Sequence, residues 1–348
     1  MSLHDEILEQ PDALRWQLAA PSPGLAALAA RLREDPVDTV VVAARGTSDH
    51  AAIYAQYVLG VRNGLSVGLA TPSIVSLYGA EPRVGRSLVV GISQSGASPD
   101  IVSVVAAARR QGAPTLAITN DPASPLAREA DHVLDLAAGP ELAIAATKTY
   151  TTSLLALARL SVALDPDPGA EAAVATVPDA VAAALALEPT VESIARTLAA
   201  EAGGLDRCVI VGRGYEYATA REWALKLKEL ARVFADPYSS ADFRHGPIAL
   251  VHPGIPVLVL APSGVASDGQ LELLRDLRER DVETVVASDD AEALALGRWS
   301  IPIPASVPEW LRPIVSIVPA QLFAYHATLA RGLDPDAPRY ISKVTRTT

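Results

Sequence analysis

Ser93, Ser95 and Ser98 fall within one short stretch, Ile92-Ser93-Gln94-Ser95-Gly96-Ala97-Ser98-Pro99-Asp100. Their hydroxyls and the backbone N–H groups of a tight turn are a donor set suited to a phosphate. Arg45-Gly46-Thr47-Ser48-Asp49 is a second hydroxyl-bearing turn, with a cation beside it. A different chemistry is written in Arg221-Glu222-Trp223-Ala224-Leu225-Lys226-Leu227-Lys228-Glu229. Glu222, Lys226 and Glu229 are spaced four and three residues apart, so on a helix they share a face. A carboxylate held there could take up a proton and return it. His245, in His245-Gly246-Pro247, brings an imidazole, which titrates near neutral pH when unperturbed. Lys343 offers an amine on an extended tail. Each motif also has a plainer reading: a capped turn, a solvated ion-paired face, a turn histidine, a surface lysine.

The elements that must position these groups alternate between strand and helix. Thr39–Ala44 reads as a strand, 50–60 as a helix, 65–70 as a short strand. The β-branched run from Leu88 to Ile92 reads as a buried parallel strand. Ser98 suits a helix N-cap, Pro99 the first helical position and Asp100 the positive end of the dipole. A helix over 100–111, strands at 114–118 and 133–136, and a long helix from Glu141 to about Ala163 follow. Upstream, residues 4–20 read as an amphipathic helix interrupted by Pro11, and 24–34 as another helix. The pattern is that of a parallel sheet with helices on both faces.

Arg45-Gly46 recurs as Arg213-Gly214 and Ser95-Gly96 as Ser263-Gly264, each 168 residues on (213 − 45 and 263 − 95). Asp100 and Asp268, then Pro140-Glu141 and Pro308-Glu309, keep the same offset, which is the signature of a tandem duplication. The expected architecture is α/β: two tandem three-layer α/β/α domains with parallel sheets. An N-terminal helical linker over 1–22 precedes a first domain over 23–170. A Pro-, Asp- and Ala-rich segment over 164–190, read as a boundary or bridging helix, separates it from a second domain over 190–335, and a tail over 336–348 carries Lys343. The halves differ in chemistry. Ser93-Gln94-Ser95-Gly96 becomes Ala261-Pro262-Ser263-Gly264, so the phosphate chemistry belongs to the first half and the ionisable groups to the second.

Composition narrows the function classes. A formal net charge of −11 and the lack of a basic run argue against a nucleic acid partner. No apolar run has the length of a bilayer span, and the acidic start is not a signal peptide, so the expected location is the cytoplasm. The single cysteine, Cys208, excludes an internal disulfide and sits in an apolar run that reads as inert core. His50, His132, His245, His252 and His326 are scattered, so no metal or other cofactor is expected.

Taken together, Gly46-Thr47-Ser48, Ile92-Ser93-Gln94-Ser95-Gly96, Glu141 with Thr147-Lys148-Thr149-Tyr150-Thr151-Thr152, Ala224-Leu225-Lys226-Leu227-Lys228-Glu229, His245-Gly246-Pro247 and the Lys343 tail resemble the double-SIS sugar isomerase family. Within it the chain is similar to the isomerase half of glucosamine-6-phosphate synthase and to stand-alone deaminases. The resemblance implies that Thr47, Ser48, Ser93, Gln94, Ser95 and Ser98 bind the phosphate, with Arg45 and Ile144 also contacting substrate. It implies that Glu229 moves the proton between C1 and C2 and that His245 opens the sugar ring. Lys343 would contact the open-chain carbonyl or form an imine with it, assisted by Lys226. Glu6-Ile7-Leu8-Glu9-Gln10-Pro11 resembles the synthase linker, and the expectation is that no glutamine-hydrolysing domain precedes it. Arg45 stands where the synthase pattern has cysteine. The expected reaction is therefore isomerisation and deamination of glucosamine 6-phosphate or a relative, in a homodimer with shared active sites and no membrane partner. A pure aldose–ketose phosphosugar isomerase, an aminotransferase-like enzyme or deglycase, and a non-catalytic sugar-phosphate sensor are the alternatives.

Overall fold

The structure is a computed structural model that describes residues 2–200 and 205–343. The chain divides into two compact units. One comprises Asp12–Glu141, Lys148–Ala175 and Ser342–Thr348, and is called the cradle unit below. The other, called the acid–base unit, comprises Met1–Pro11, Leu142–Thr147 and Thr176–Ile341.

The cradle unit is built on β1 (Thr39–Ala43), β2 (Ser66–Leu69), β3 (Ser87–Ile92), β4 (Thr115–Thr119) and β5 (His132–Asp135). All pairings are parallel and the order is β2-β1-β3-β4-β5. Every residue of β3 and β4 is buried, which explains why both strands are apolar through their interiors, with Ser87, Thr115 and Thr119 only at strand ends. On one face, Ile101, Val104, Val105 and Ala108 of the Pro99–Arg110 helix pack with Val89 and Ala117. The chain leaves β1 toward β2 and returns to the other side of β1 as β3, with Ala43 beside Gly91. Ligands of open parallel sheets bind at such a switch point, beyond the carboxyl ends of the diverging strands. The turns carrying Ser48 and Ser93–Ser98 are the ones that leave those two ends.

The acid–base unit repeats the plan with β6 (Arg207–Gly212), β7 (Phe234–Ser239), β8 (Val257–Leu260), β9 (Thr284–Ser288) and β10 (Trp299–Pro302). Its parallel order is β7-β6-β8-β9-β10, the strand order of the first sheet. The duplication read from the 168-residue offset is a duplication of topology. Val209, Val211, Val257, Val259 and Val286 form the core of this sheet with Leu273, Leu274 and Leu277 of the Ser267–Glu279 helix.

Four expectations change. Residues 4–20 form two helices, Leu3–Leu8 and Gln10–Ala19, because the break falls at Glu9 and Pro11 takes an early position of the second helix. The helix expected from Glu141 begins at Lys148 instead, because the amides of Leu142 and Ala143 bond to a distant carboxylate. The boundary or single bridging helix expected over 164–190 is three helices, Pro168–Ala175, Val177–Leu185 and Glu188–Ala200. Among the described residues one stretch, Glu309–Ala330, has the length and hydropathy of a bilayer span. Because 83% of its apolar window is buried inside the protein, it is a core helix. Cys208 is buried, and burial pushes its thiol up to about 12.

Candidate active site

In the cradle unit, Gly46 adopts φ +54° and stands at the N-cap of the Thr47–Asn63 helix, which places Thr47 and Ser48 in its first turn. Beyond β3, Ser98 is the N-cap of the Pro99–Arg110 helix, yet its hydroxyl makes no capping bond. Ser93 Oγ accepts the Gly96 N–H at 3.2 Å, and Ser95 Oγ accepts the Ala97 N–H at 3.3 Å. Each oxygen therefore accepts within the turn, which leaves its own hydrogen to donate outward. The Ser93 N–H donates to the Ile118 carbonyl at 3.1 Å, and the Gln94 carbonyl accepts from the Asn120 N–H at 3.1 Å and Thr119 Oγ1 at 3.3 Å. The turn is thus rigidly attached to β4. Arg45 Nε donates to Asp100 Oδ2 at 2.8 Å, while Asp100 Oδ1 accepts the Ile101 N–H at 2.9 Å. Asp100 is 1% exposed and Arg45 48% exposed, so the guanidinium neutralises a carboxylate that would otherwise repel an anion. Sequence spacing carried no signal for that pair.

Lys343 lies in the same unit. Its Nζ donates to Glu141 Oε2 at 2.7 Å. Glu141 is buried and also accepts from Thr149 N at 3.1 Å and Thr149 Oγ1 at 2.8 Å. The carboxylate thus ties the tail lysine to the start of the Lys148–Leu164 helix by charge-assisted bonds.

In the acid–base unit, the Glu216–Lys226 helix runs into a single π-helical turn, Leu227–Ala231, closed by Arg232 at φ +56°. Widened turns of this kind are frequent at functional sites. Lys226 Nζ lies 3.3 Å from Glu222 Oε1 and 2.7 Å from Glu229 Oε2. Lys226 and Glu222 are fully buried, whereas Glu229 is 24% exposed, which rules out a solvated ion-paired face. Burial alone would lower the Lys226 pKa, but the two carboxylates outweigh it and hold the ammonium above its ordinary range. Glu229 is thereby the one carboxylate of the trio that reaches solvent, on a cationic mount. His245 belongs to the same unit as the exposed C-cap of the short Ser240–Arg244 helix, and Ile144 lies half-buried on the 142–147 segment. Of the expected residues, the structure brings Arg45, Thr47, Ser48, Ser93, Gln94, Ser95 and Ser98 onto two adjacent turns, and Lys226 onto Glu229.

The turns of the acid–base unit that match the cradle are filled by the protein itself. At the 168-residue offset Glu216 replaces Ser48, Ala261 replaces Ser93, Pro262 replaces Gln94 and Ala266 replaces Ser98. Ser263 donates its hydroxyl to Asp289 Oδ2 at 2.7 Å and its N–H to Oδ1 at 2.6 Å, and Arg312 pairs with Asp289 at 3.0 Å. The remaining cavity, lined by Arg213, Glu216, Pro262 and Glu309 among others, is about 10 Å³, room for one water at most. Burial raises Glu216 from 4.5 to about 7, against hydrogen bonds from Thr219 and Ser316 and the Arg312 charge. The unfolded chain therefore gives up this proton before the folded one. Stability is fully present below the unfolded value and falls as pH rises through about 7, by up to about 3 kcal/mol. Glu216→Gln is expected to remove that loss, narrowing the difference between chemical denaturation midpoints at pH 5 and pH 8. An identical pH dependence in both proteins would contradict it.

Among the described residues no group of three or more His, Cys, Asp or Glu side chains could hold a metal ion. A family profile described as SIS domain matches residues 36–163 and 205–331. A glutamine–fructose-6-phosphate aminotransferase (isomerizing) of Pyrococcus horikoshii is 33% identical over 346 residues, covering 97% of this chain. The chain spans 56% of that relative's length. A Silicibacter pomeroyi DSS-3 protein, provisionally named a phosphosugar isomerase, superposes with a TM-score of 0.86 at 34% identity, covering 97% of this chain and 100% of its own. The C-terminal domain of glucosamine-fructose-6-phosphate aminotransferase from Francisella tularensis superposes with a TM-score of 0.84 at 26% identity, covering 96% of this chain and 98% of that domain.

Proposed function

Because this chain belongs to the SIS domain family, we propose that it isomerises and deaminates an amino-sugar phosphate, converting glucosamine 6-phosphate and water to fructose 6-phosphate and ammonia. The observation that carries the reading is the buried Lys226 held against Glu229, which mounts one accessible carboxylate for proton transfer. The hydroxyls of Ser48, Ser93, Ser95 and Ser98, with Thr47, Gln94 and the Arg45 cation, bind the phosphate. Two helix N-termini add their dipoles to that site. His245 exchanges a proton at the ring oxygen to open the sugar. Glu229 removes the C2 proton and returns it to C1, which turns the open-chain amino aldose into a 2-imine. Water hydrolyses that imine to the ketose and ammonia. Lys343 serves the open-chain carbonyl, by contact or as an imine, once it leaves Glu141. The same proposal includes a homodimer in which the His245 loop completes the partner's site.

Incubation of the purified protein with a panel of hexose and amino-hexose 6-phosphates tests this reading. Ammonia and ketose phosphate in equal amounts from glucosamine 6-phosphate are the expected result. Ketose without ammonia from a neutral sugar would make it an aldose–ketose isomerase, and binding without turnover would make it a sensor. In the same assay, Ser93→Ala with Ser95→Ala is expected to raise KM about tenfold or more, since each hydroxyl donates to a charged acceptor. Their oxygens accept only local turn bonds, so the melting temperature should move little. An unchanged KM would remove the phosphate from this turn.

A further inference from the structure

Glu6 is fully buried, and none of the chemistry above uses it. It sits on the Leu3–Leu8 helix of the acid–base unit. Its Oε1 accepts the Leu142 N–H at 2.5 Å and the Ala143 N–H at 3.2 Å, and its Oε2 lies 3.3 Å from the same Ala143 nitrogen. Residues 142–147 form neither helix nor strand, so these amides have no ladder to enter and need another acceptor. At the other end of the segment the Thr147 carbonyl accepts from Gln321 Nε2 at 3.4 Å. Ile144 lies between the two anchors.

The helix that carries Glu6 is itself immobilised. Ser2 and Asp5 form a reciprocal capping box, and the Leu3 N–H donates to Asp336 Oδ1 at 2.6 Å. Leu3 and Ile7 are buried, and His4 Nε2 meets Glu188 Oε1 at 2.6 Å. A carboxylate buried this deeply is tolerated only where fixed donors replace water. Two successive peptide N–H groups supply that replacement here, as in backbone nests that bind anions.

We propose that Glu6 is a positioning residue: its carboxylate fixes the backbone of residues 142–147 and so places Ile144 against the sugar phosphate. This rests on the reading that Ile144 contacts substrate. A glutamine can keep its one acceptor oxygen on the Leu142 and Ala143 amides, but it removes the charge that strengthens both bonds and turns an NH2 group toward the Ala143 N–H, so the clamp loosens. The loosened segment would then have to be ordered by the substrate on binding, which raises KM more than it lowers kcat.

The test combines amide hydrogen exchange over residues 141–149 with steady-state kinetics of the full chain on glucosamine 6-phosphate. In Glu6→Gln, the Leu142 and Ala143 amides should exchange faster without ligand. KM should rise about tenfold, the scale of one hydrogen bond to a charged group, with a smaller change in kcat. Leu28→Ala, a buried change in the cradle unit, should lower the melting temperature while leaving KM and these amides alone. Should Glu6→Gln fail to fold, Glu6→Asp keeps the charge but shortens the reach and gives the same two readouts. Unchanged exchange at Leu142 and Ala143 overturns the clamp, and faster exchange with an unchanged KM overturns the positioning role. If the wild-type protein neither turns over nor binds glucosamine 6-phosphate, the functional reading fails instead, and exchange alone then decides the clamp.

Discussion

Glu229→Gln is expected to lower kcat by about 10²–10⁴-fold, the usual worth of a positioned acid–base group. The amide keeps nearly the same shape and can still accept from Lys226, but it cannot take a proton from C2 and return it to C1. KM should stay within a few-fold, because the hydroxyls proposed to bind the phosphate lie on the other repeat. Incorporation of solvent deuterium at C1 of the product and C2 of recovered substrate should stop with turnover. Lys226 retains Glu222 in the variant, so its charge stays compensated and the fold should survive. The pattern sought is a kcat effect without a KM effect, which marks an interaction made only in the transition state. Normal turnover and normal isotope exchange in Glu229→Gln would place the proton transfer on another group.

The fold was legible where local sequence and tertiary environment agree. The run from Leu88 to Ile92 is buried on both faces and reads as a central strand without ambiguity. The 168-residue offset then carried the first sheet's topology onto the second. Nothing local marks β7, whose Asp236 and Pro237 argue against a strand. It forms at the sheet edge, paired only to β6, where a missing N–H costs little. The segment after Glu141 misled in the opposite sense. Leu142-Ala143-Ile144-Ala145-Ala146 has high helix propensity, but a carboxylate 137 residues away takes the Ala143 amide and holds the chain open.

The candidate site divides along the same line. Ser93, Ser95 and Ser98 were visible because turn chemistry is a local property of strand end, glycine and helix cap. The Arg45–Asp100 pair was invisible because its members are 55 residues apart and meet only after β1 and β3 pair. Spacing put Glu222, Lys226 and Glu229 on one face, but spacing cannot report burial, and a solvated face has the same pattern. Burial of the lysine, and the π-helical turn that carries Glu229, are products of packing alone.

Gly96→Ala should destabilise the cradle unit by roughly 2–5 kcal/mol, the sum of left-handed backbone strain and overpacking. Gly96 adopts φ +58°, and a Cβ there would lie 2.1 Å from Ser124 Oγ and 2.9 Å from Thr119 Oγ1. Neither neighbour can swing away cheaply. Ser124 caps the Pro125–Glu129 helix by accepting the Ala127 N–H at 3.3 Å, and Thr119 Oγ1 donates to the Gln94 carbonyl. The Gly96 carbonyl is also tied to the Leu126 N–H at 3.0 Å, so the turn cannot retreat without breaking that bond. Gly46→Ala is the internal control. Its φ of +54° with ψ −129° is a conformation that favours glycine, but nothing lies within 4 Å of a Cβ, so it should cost the backbone strain alone, roughly 1–3 kcal/mol. Gly264→Ala tests the acid–base unit, where the Cβ would meet the Glu309 carboxyl at 2.6 Å, the far end of a flexible side chain. Chemical denaturation of the three variants should rank Gly96→Ala as the most destabilised. Because the Gly96 N–H is donated to Ser93 Oγ, the same variant should also lose phosphate affinity, seen as a raised KM that Gly264→Ala does not share. Equal denaturation midpoints for Gly96→Ala and Gly46→Ala would show that the turn has room its packing denies.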